Sequence, residues 1–366
     1  MKVALVCPYD FSRPGGVKSH IVSLSHHLTM IGHHVKIIAP NINANLVEEE
    51  NVCFFAQSKS INLGGTKIDI NIALGSEKKA LRNFLKRESF DVIHYHTIWN
   101  PFLPFQVRRY SSAKQIATFH DTPKSQFVGD WIMPTVAKGV FRFLDQIISV
   151  SKSQSKFISR FSKRKIHIIP NGIDLKSIES VAPKSSSRKD DSFQLFFMGR
   201  LEPRKGVMHA LKAFHKLKDR YPKLKLLIAG DGDGRVEVEE YINNHSLTDV
   251  ELLGFVSERD KYKILKESEI YLAPALYGES FGIVLLESMA VGTPIAGYAN
   301  SGYMNVITNK MKDGFADPSD LEELVKKIEN LIPSRKREEL SIHGLEEVKK
   351  YDWSKISKDI YEVYQL

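Results

Sequence analysis

Residues 193–207, FQLFFMGRLEPRKGV, decide the fold. A six-residue apolar run ends at a glycine, passes through a polar loop to a second glycine, and enters a segment of helical period. That order opens a strand–loop–helix unit. Residues 2–17, KVALVCPYDFSRPGGV, repeat it near the start of the chain. Working outward, β-rich runs at 3–7, 35–39, 92–95, 115–119, 146–150 and 166–169 alternate with helical segments such as 17–31 and 76–88. The alternation resumes with strands at 193–198, 224–229, 250–253, 270–273 and 294–296. Such alternation predicts the α/β class: two Rossmann-like domains with parallel sheets covered on both faces. A ligand is expected at a central cleft, outside the C-terminal ends of the strands. Residues 180–191, SVAPKSSSRKDD, have no apolar period and read as a linker. The domains are therefore placed at 1–179 and 192–350. Residues 351–366 form a closing helix that crosses back to the first domain. Its Trp353, Ile356, Ile360, Val363 and Tyr364 recur at helical spacing, and packing accounts for them.

The 366 residues are 42% hydrophobic and 26% charged, which suits a globular protein and excludes a disordered or fibrous one. No run approaches the length of a membrane span. The first residues are too short and too plain for a signal peptide. Cys7 and Cys53 make no disulfide framework, and no Cys/His group has zinc spacing. A reducing, cytoplasmic setting is expected. The net charge of +9 is uneven: residues 1–180 hold 24 Lys and Arg against 13 Asp and Glu, while residues 181–366 hold 28 against 30. The first half is thus expected to face an anionic partner or to carry a merely soluble basic surface. No aromatic-studded basic strand points to nucleic acid.

Several segments can carry chemistry. Gly15-Gly16, before a helix, either makes a tight turn or lets a phosphate approach free N–H groups. Arg200, Arg204 and Lys205 lie within six residues of a strand–helix loop, where cations suit a diphosphate. GDGDG at 230–234 imitates a metal triplet and a dinucleotide fingerprint, but its glycine spacing departs from the latter and a turn is preferred. In GESFGIVLLE, residues 278–287, a helix is expected to begin near Ser280 or Phe281. Glu279 and Glu287 would then share nearly one face, on either side of free N–H groups at Gly282, Ile283 and Val284. That set suits the phosphates and hydroxyls of a nucleotide sugar. His120, with Asp121, ends a strand where parallel sheets present ligands; it is a packed core histidine or a substrate contact.

Taken together, these residues resemble a retaining glycosyltransferase of family 4 with the GT-B fold, over essentially the whole chain. The pair Glu279/Glu287, the loop GRLEPRKG and PNGID at 170–174 carry the resemblance, and CPYDFSRPGGVKSH at 7–20 is similar in particular to phosphatidyl-myo-inositol mannosyltransferases. The resemblance implies a GDP-mannose donor, a membrane inositol lipid as acceptor, front-face attack and no cofactor or metal. It implies that Gly16, Arg200 and Lys205 bind the donor diphosphate. Phe281 and the N–H groups beside it would join them, Glu279 would contact the sugar, Glu287 the ribose, and His120 the reaction centre. Glu258, where Asp is expected, would read guanine, with Lys261 beside it. NSGYMNV at 300–306 lacks the Gly-Gly-x-x-Glu of many members. A nucleotide-sugar epimerase is the alternative enzyme, and a UDP-sugar donor or a polysaccharide acceptor the alternative substrates. Loops such as 100–107 carry no readable acceptor code. Lys78, Lys79, Arg82, Lys86 and Arg87 on segment 76–88 are expected to hold a monomeric enzyme peripherally on the cytoplasmic face of an anionic membrane.

Overall fold

The structure, a computed structural model, describes residues 1–11, 15–41, 51–63, 66–98, 102–120, 139–181 and 192–366, with the side chains of 41 and 57–70 left aside. Ser12, Arg13, Pro14, Asp121 and most of the expected linker and of the loop at 100–101 lie outside the described residues. The chain forms two compact units. The first comprises Met1–Gly172 with Trp353–Leu366, and the second Ile173–Asp352. The division falls at Gly172, earlier than the expected 179, because the helix Leu175–Val181 belongs to the second unit.

In the first unit β1 (Lys2–Val6), β2 (His34–Asn41), β3 (Val52–Leu63), β4 (Thr66–Ile72), β5 (Val92–His96), β6 (Lys114–Phe119), β7 (Gln146–Ser149) and β8 (Ile166–Ile168) form one sheet in the order 4-3-2-1-5-6-7-8. Neighbours are parallel throughout except at one edge, where β3 and β4 make an antiparallel hairpin. The wholly parallel sheet expected from sequence is corrected there. The helices α1 (Gly16–Met30), α2 (Gly75–Glu88) and α3 (Phe102–Tyr110) lie among these strands. Period two sorts the core. Val3 and Leu5 pack with Leu24, Leu28 and the closing helix Trp353–Gln365, whereas Ala4 and Val6 face the cluster holding Leu81, Phe84, Leu85, Leu103 and Val107. Leu81, Phe84 and Leu85 are all buried, so α2 keeps no apolar stripe for lipid.

The second unit is a parallel sheet of β9 (Phe193–Met198), β10 (Leu224–Ala229), β11 (Val250–Gly254), β12 (Ile270–Ala273), β13 (Ile295–Tyr298) and β14 (Phe315–Ala316), in the order 11-10-9-12-13-14. The loops after β9, β11, β12 and β13 therefore emerge at one edge. Two glycines fix them there. Gly206 has φ +74°, and a Cβ on it would overlap the carbonyl of Pro274; a Cβ on Gly302 would overlap the backbone of Glu279.

Buried beneath the first unit's sheet edge is a cluster that the sequence does not announce. His94 and His96, two apart on β5, share one face with His20 of α1 and His120 at the end of β6. His20 Nδ1 donates to Asn171 Oδ1 at 3.0 Å, and His94 stands 2.7 Å from both the Tyr364 hydroxyl and Thr118 Oγ1. His96 Nδ1 and His120 Nε2 share a hydrogen bond of 3.1 Å, while His20 Nε2 and His96 Nε2 are buried with no hydrogen-bond partner. Burial keeps these rings neutral, with repulsion from neighbouring rings added for His20, His94 and His96: His94 and His120 are pushed down to about 3, His20 and His96 well below the usual range. Between the ordinary imidazole value near 6.5 and about 3, the unfolded chain binds protons that the native cluster refuses. Stability is therefore full above 6.5 and falls as pH drops through that window. We expect His94 alone to cost the fold about 2 kcal/mol at pH 5 relative to pH 7. Thermal melts should show the melting temperature falling steadily over that range; a flat profile would mean that the native cluster already holds a proton.

Candidate active site

Four segments of the second unit meet at the edge where its strands end. The loop after β9 turns through Pro203–Lys205 into α4 (Val207–Lys218). Its Lys205 ammonium pairs with Glu279 from the loop after β12. Arg204 stands 3.9 Å from the same carboxylate and is steadied by Glu202 at 2.7 Å. The other oxygen of Glu202 holds Arg200 at 2.7 Å, yet the Arg200 side chain stays 69% exposed and open to a ligand. Glu279, by contrast, is only 11% exposed.

The helix α6 begins at Ile283 and runs to Ala290. The expectation that it starts near Ser280 or Phe281 is corrected. Gly278 and Gly282 have φ of +77° and +100°, left-handed values that keep the chain out of the helix until Gly282 has passed. Glu279 thus lies four residues ahead of α6, and helical period does not relate it to Glu287. The two carboxylates still flank the helix start, but from separate supports. No side chain caps α6, so the N–H groups of Ile283 and Val284 stay open to an acceptor, while that of Leu285 turns back to the Gly282 carbonyl at 2.9 Å. Phe281 is buried against Tyr351, which makes it a packing residue and not a ligand contact through its ring.

Glu287 reaches Lys261 at 2.8 Å, and Lys261 also holds Glu258 at 2.6 Å. These two come from α5 (Glu258–Glu267), which Ser257 caps by accepting from Asp260 N–H. Lys261 is buried, which opposes its charge, but Glu287 and Glu258 more than offset this and hold its ammonium above the usual lysine range. Tyr262 donates a further bond to Glu287. Glu258 projects outward, its side chain 80% exposed. The site therefore holds two lysine–carboxylate pairs around an uncapped helix start. It offers donors to an anion and acceptors to hydroxyls.

Sequence reasoning passed over Asn300. Buried after β13, it donates to the Ala275 carbonyl at 2.9 Å and accepts from the N–H of Gly302 and Tyr303, so it ties the loop behind Glu279. The only signal was its place at a strand end. Residues 230–234 form the expected turn, with Asp231 accepting from Gly232 N–H at 2.8 Å.

In the first unit Gly15 precedes α1 in extended backbone, and a Cβ there would meet open space. The turn does not demand glycine, and no side chain caps the helix. His120 is buried, with Nε2 committed to His96. The ring nitrogens of His20, His96 and His120 come within 4.8 Å of one another, the one group of metal-ligand character among the described residues. It contains no carboxylate or thiolate to offset a buried cation, and a hydrogen bond already joins two of its rings. Lys78, Lys79, Arg82 and Lys86 are exposed on α2, whereas Arg87 is engaged by Glu88 at 3.1 Å. No helix among the described residues is long and apolar enough to cross a membrane.

Residues 14–177 match the family described as Glycosyltransferase Family 4, and residues 179–344 match Glycosyl transferases group 1. The chain is 28% identical over 375 residues to the phosphatidyl-myo-inositol mannosyltransferase of Mycobacterium leprae, covering 100% of this chain and 96% of that protein. It is 30% identical over 320 residues to the enzyme of that name from Propionibacterium freudenreichii, covering 84% and 80%. The Anabaena HepE structure in complex with UDP and glucose superposes with a TM-score of 0.77 at 19% identity, over 100% of this chain and 99% of that one, a likeness of fold. The parallel two-unit architecture, the strand-end site and these relatives agree: the chain belongs to the family 4 glycosyltransferases and has their GT-B fold.

Proposed function

We propose that this glycosyltransferase moves mannose from GDP-mannose to a hydroxyl of a membrane lipid such as phosphatidylinositol, with retention of configuration. The observation that carries the proposal is the uncapped start of α6 between Glu279 and Glu287, each held by its own lysine. Two relatives named phosphatidyl-myo-inositol mannosyltransferase support the sugar and the acceptor. As the bond from the sugar to the diphosphate breaks, negative charge grows on the departing phosphate. Lys205, Arg200 and the N–H groups of Ile283 and Val284 stabilise it from fixed positions, the largest kind of term in many enzymes. Glu279 accepts from sugar hydroxyls, Glu287 from the ribose, and Glu258 from guanine N–H groups. The open, uncapped start of α1 at Gly15 and Gly16 receives phosphate oxygens. His120, kept neutral by burial, meets the sugar without adding charge. The acceptor hydroxyl attacks from the leaving-group face and its proton passes to the departing phosphate oxygen, so no side-chain nucleophile and no metal is needed.

A UDP-sugar donor is the second reading, favoured by the longer Glu258 in place of Asp and by the UDP held in the Anabaena structure. Radiolabelled GDP-mannose and UDP-glucose, each offered with phosphatidylinositol vesicles, decide between them. Product from the UDP-sugar alone would overturn the GDP-mannose assignment. With donor and no acceptor, a new sugar nucleotide would reveal an epimerase. A chelator should leave the rate unchanged.

Glu279→Ala should lower turnover by about 10²–10³, the loss of one charged transition-state contact, while the melting temperature stays near that of the parent. Near-parental turnover in the folded variant would remove Glu279 from the site. In calorimetry with GDP, Lys205→Ala should weaken binding by about 1.5–3 kcal/mol, and the more exposed Arg200 should give the smaller loss. Unchanged affinity in both variants would place the diphosphate elsewhere. On the membrane side, changing Lys78, Lys79, Arg82 and Lys86 to Ser should reduce flotation on anionic vesicles and lipid-acceptor activity, because about 1 kcal/mol of attraction goes with each cation. GDP affinity should be spared. Parental flotation would leave this face of α2 a solvated surface.

A further inference from the structure

Segment 300–306, NSGYMNV, departs from Gly-Gly-x-x-Glu, and Asn305 takes the position of the missing glutamate. Its amide turns back on its own loop, donating to the Ser301 and Gly302 carbonyls at 3.0 and 2.8 Å. It offers no carboxylate to a ligand. The side chain of this loop that reaches the start of α6 is that of Tyr303, two residues earlier.

Two glycines interlock this loop with the one that carries Glu279. A Cβ on Gly302 would overlap the Glu279 backbone, and a Cβ on Gly282 would meet the Tyr303 ring at Cδ1 and Cε1. The ring edge therefore lies against the residue that precedes α6. The hydroxyl, two bonds beyond Cε1, is carried alongside the helix start, where the N–H groups of Ile283 and Val284 are open. The backbone beneath the ring is fixed: Asn300 Oδ1 accepts from the Tyr303 N–H at 3.0 Å, and the Tyr303 carbonyl accepts from Val306 and Ile307.

Tyr303 is only 2% exposed. Its hydroxyl makes no hydrogen bond with the described residues, yet it is not one of the polar atoms sealed from water without a partner. The little surface left to Tyr303 therefore includes that hydroxyl. Burial, with Glu279 and Tyr271 nearby, holds the phenol well above its usual range against the pull of Arg204. The hydroxyl thus keeps its proton and serves as a donor. Glu279 is already engaged by Lys205 and Arg204. An unfilled donor, sheltered beside two unfilled N–H groups, suits an anionic oxygen.

We propose that Tyr303 is a further residue of the donor site, its hydroxyl donating to the sugar-linked phosphate that the N–H groups of Ile283 and Val284 receive. It joins Lys205 and Arg200 in stabilising the departing diphosphate, as a neutral donor that adds no charge. The inference rests on the donor reading above only in expecting a diphosphate, which GDP and UDP share. It also means that the free enzyme keeps a sheltered hydroxyl unsatisfied, at a cost to stability that phenylalanine would remove.

Calorimetry on the full-length protein compares the parent with Tyr303→Phe, using GDP and then GMP, which lacks the second phosphate. The variant should bind GDP about ten-fold more weakly, the loss of one hydrogen bond to a charged group. It should bind GMP as the parent does. Turnover should fall at least as far, whereas the melting temperature should hold or rise. That sign separates contact with a ligand from support of the fold, since removing a structural hydroxyl lowers melting. Parental GDP affinity in the variant would overturn the proposal. So would an equal loss for GDP and GMP, or a fall in melting temperature alongside weaker binding. If the parent holds UDP and not GDP, the base assignment above fails, and UDP with UMP supply the same comparison for Tyr303.

Discussion

Lys205 and Lys261 are the constraint on which the second unit's site depends. A carboxylate sheltered from water is unfavourable unless a partner takes up its charge. Glu279 and Glu287 are both sheltered, and each meets its own lysine, Lys205 from the loop after β9 and Lys261 from the first turn of α5. The pairs therefore fix the distance between loops as much as they tune charge. Glu202 extends the first pair to Arg200 and Arg204, and Glu258 extends the second toward the exposed surface. The result is two chains of alternating charge, Arg200–Glu202–Arg204–Glu279–Lys205 ahead of α6 and Glu258–Lys261–Glu287 rooted on it. Anionic and hydroxylated parts of one ligand can both be met there with little rearrangement.

The strands were largely legible, because a run buried on both faces is written in Val, Ile, Leu and Phe. The β3–β4 hairpin was not, since after Phe55 its sequence turns polar. Gly64-Gly65 between two runs was the signal available. The geometry at Glu279 was misread for a definite reason: two glycines with positive φ postpone the helix, and periodicity counted through them is void. The residue types of the site were readable all the same, for acid and base concentrate in loops after strands. What no spacing could reveal is which lysine serves which carboxylate. Lys205 and Glu279 are 74 positions apart, and only the adjacency of β9 and β12 joins them.

The histidine cluster shows the same limit from the other side. His94 and His96 alternate along a strand, which places them on one face, and that much was available from sequence. Their partners come from α1, β6 and the closing helix. Charge follows a comparable logic. The basic excess of the first 180 residues becomes meaningful only when α2 and α3 are packed together and their cations meet at one groove.

The closing helix has a consequence for how the molecule is made. Trp353 and Tyr364 complete the first unit, where Trp353 lies on His20 and Tyr364 on His94. About 180 residues of the second unit separate them from Gly172. At 5–20 residues per second, the ribosome needs roughly ten to forty seconds to supply them. Through that interval the nascent first unit presents Leu24, Leu28 and Ile116 without their final cover. The second unit is contiguous and complete as soon as Asp352 emerges. The domain that begins first is thus finished last, and the seam at Gly172 and Trp353 is where synthesis order and folding order cross.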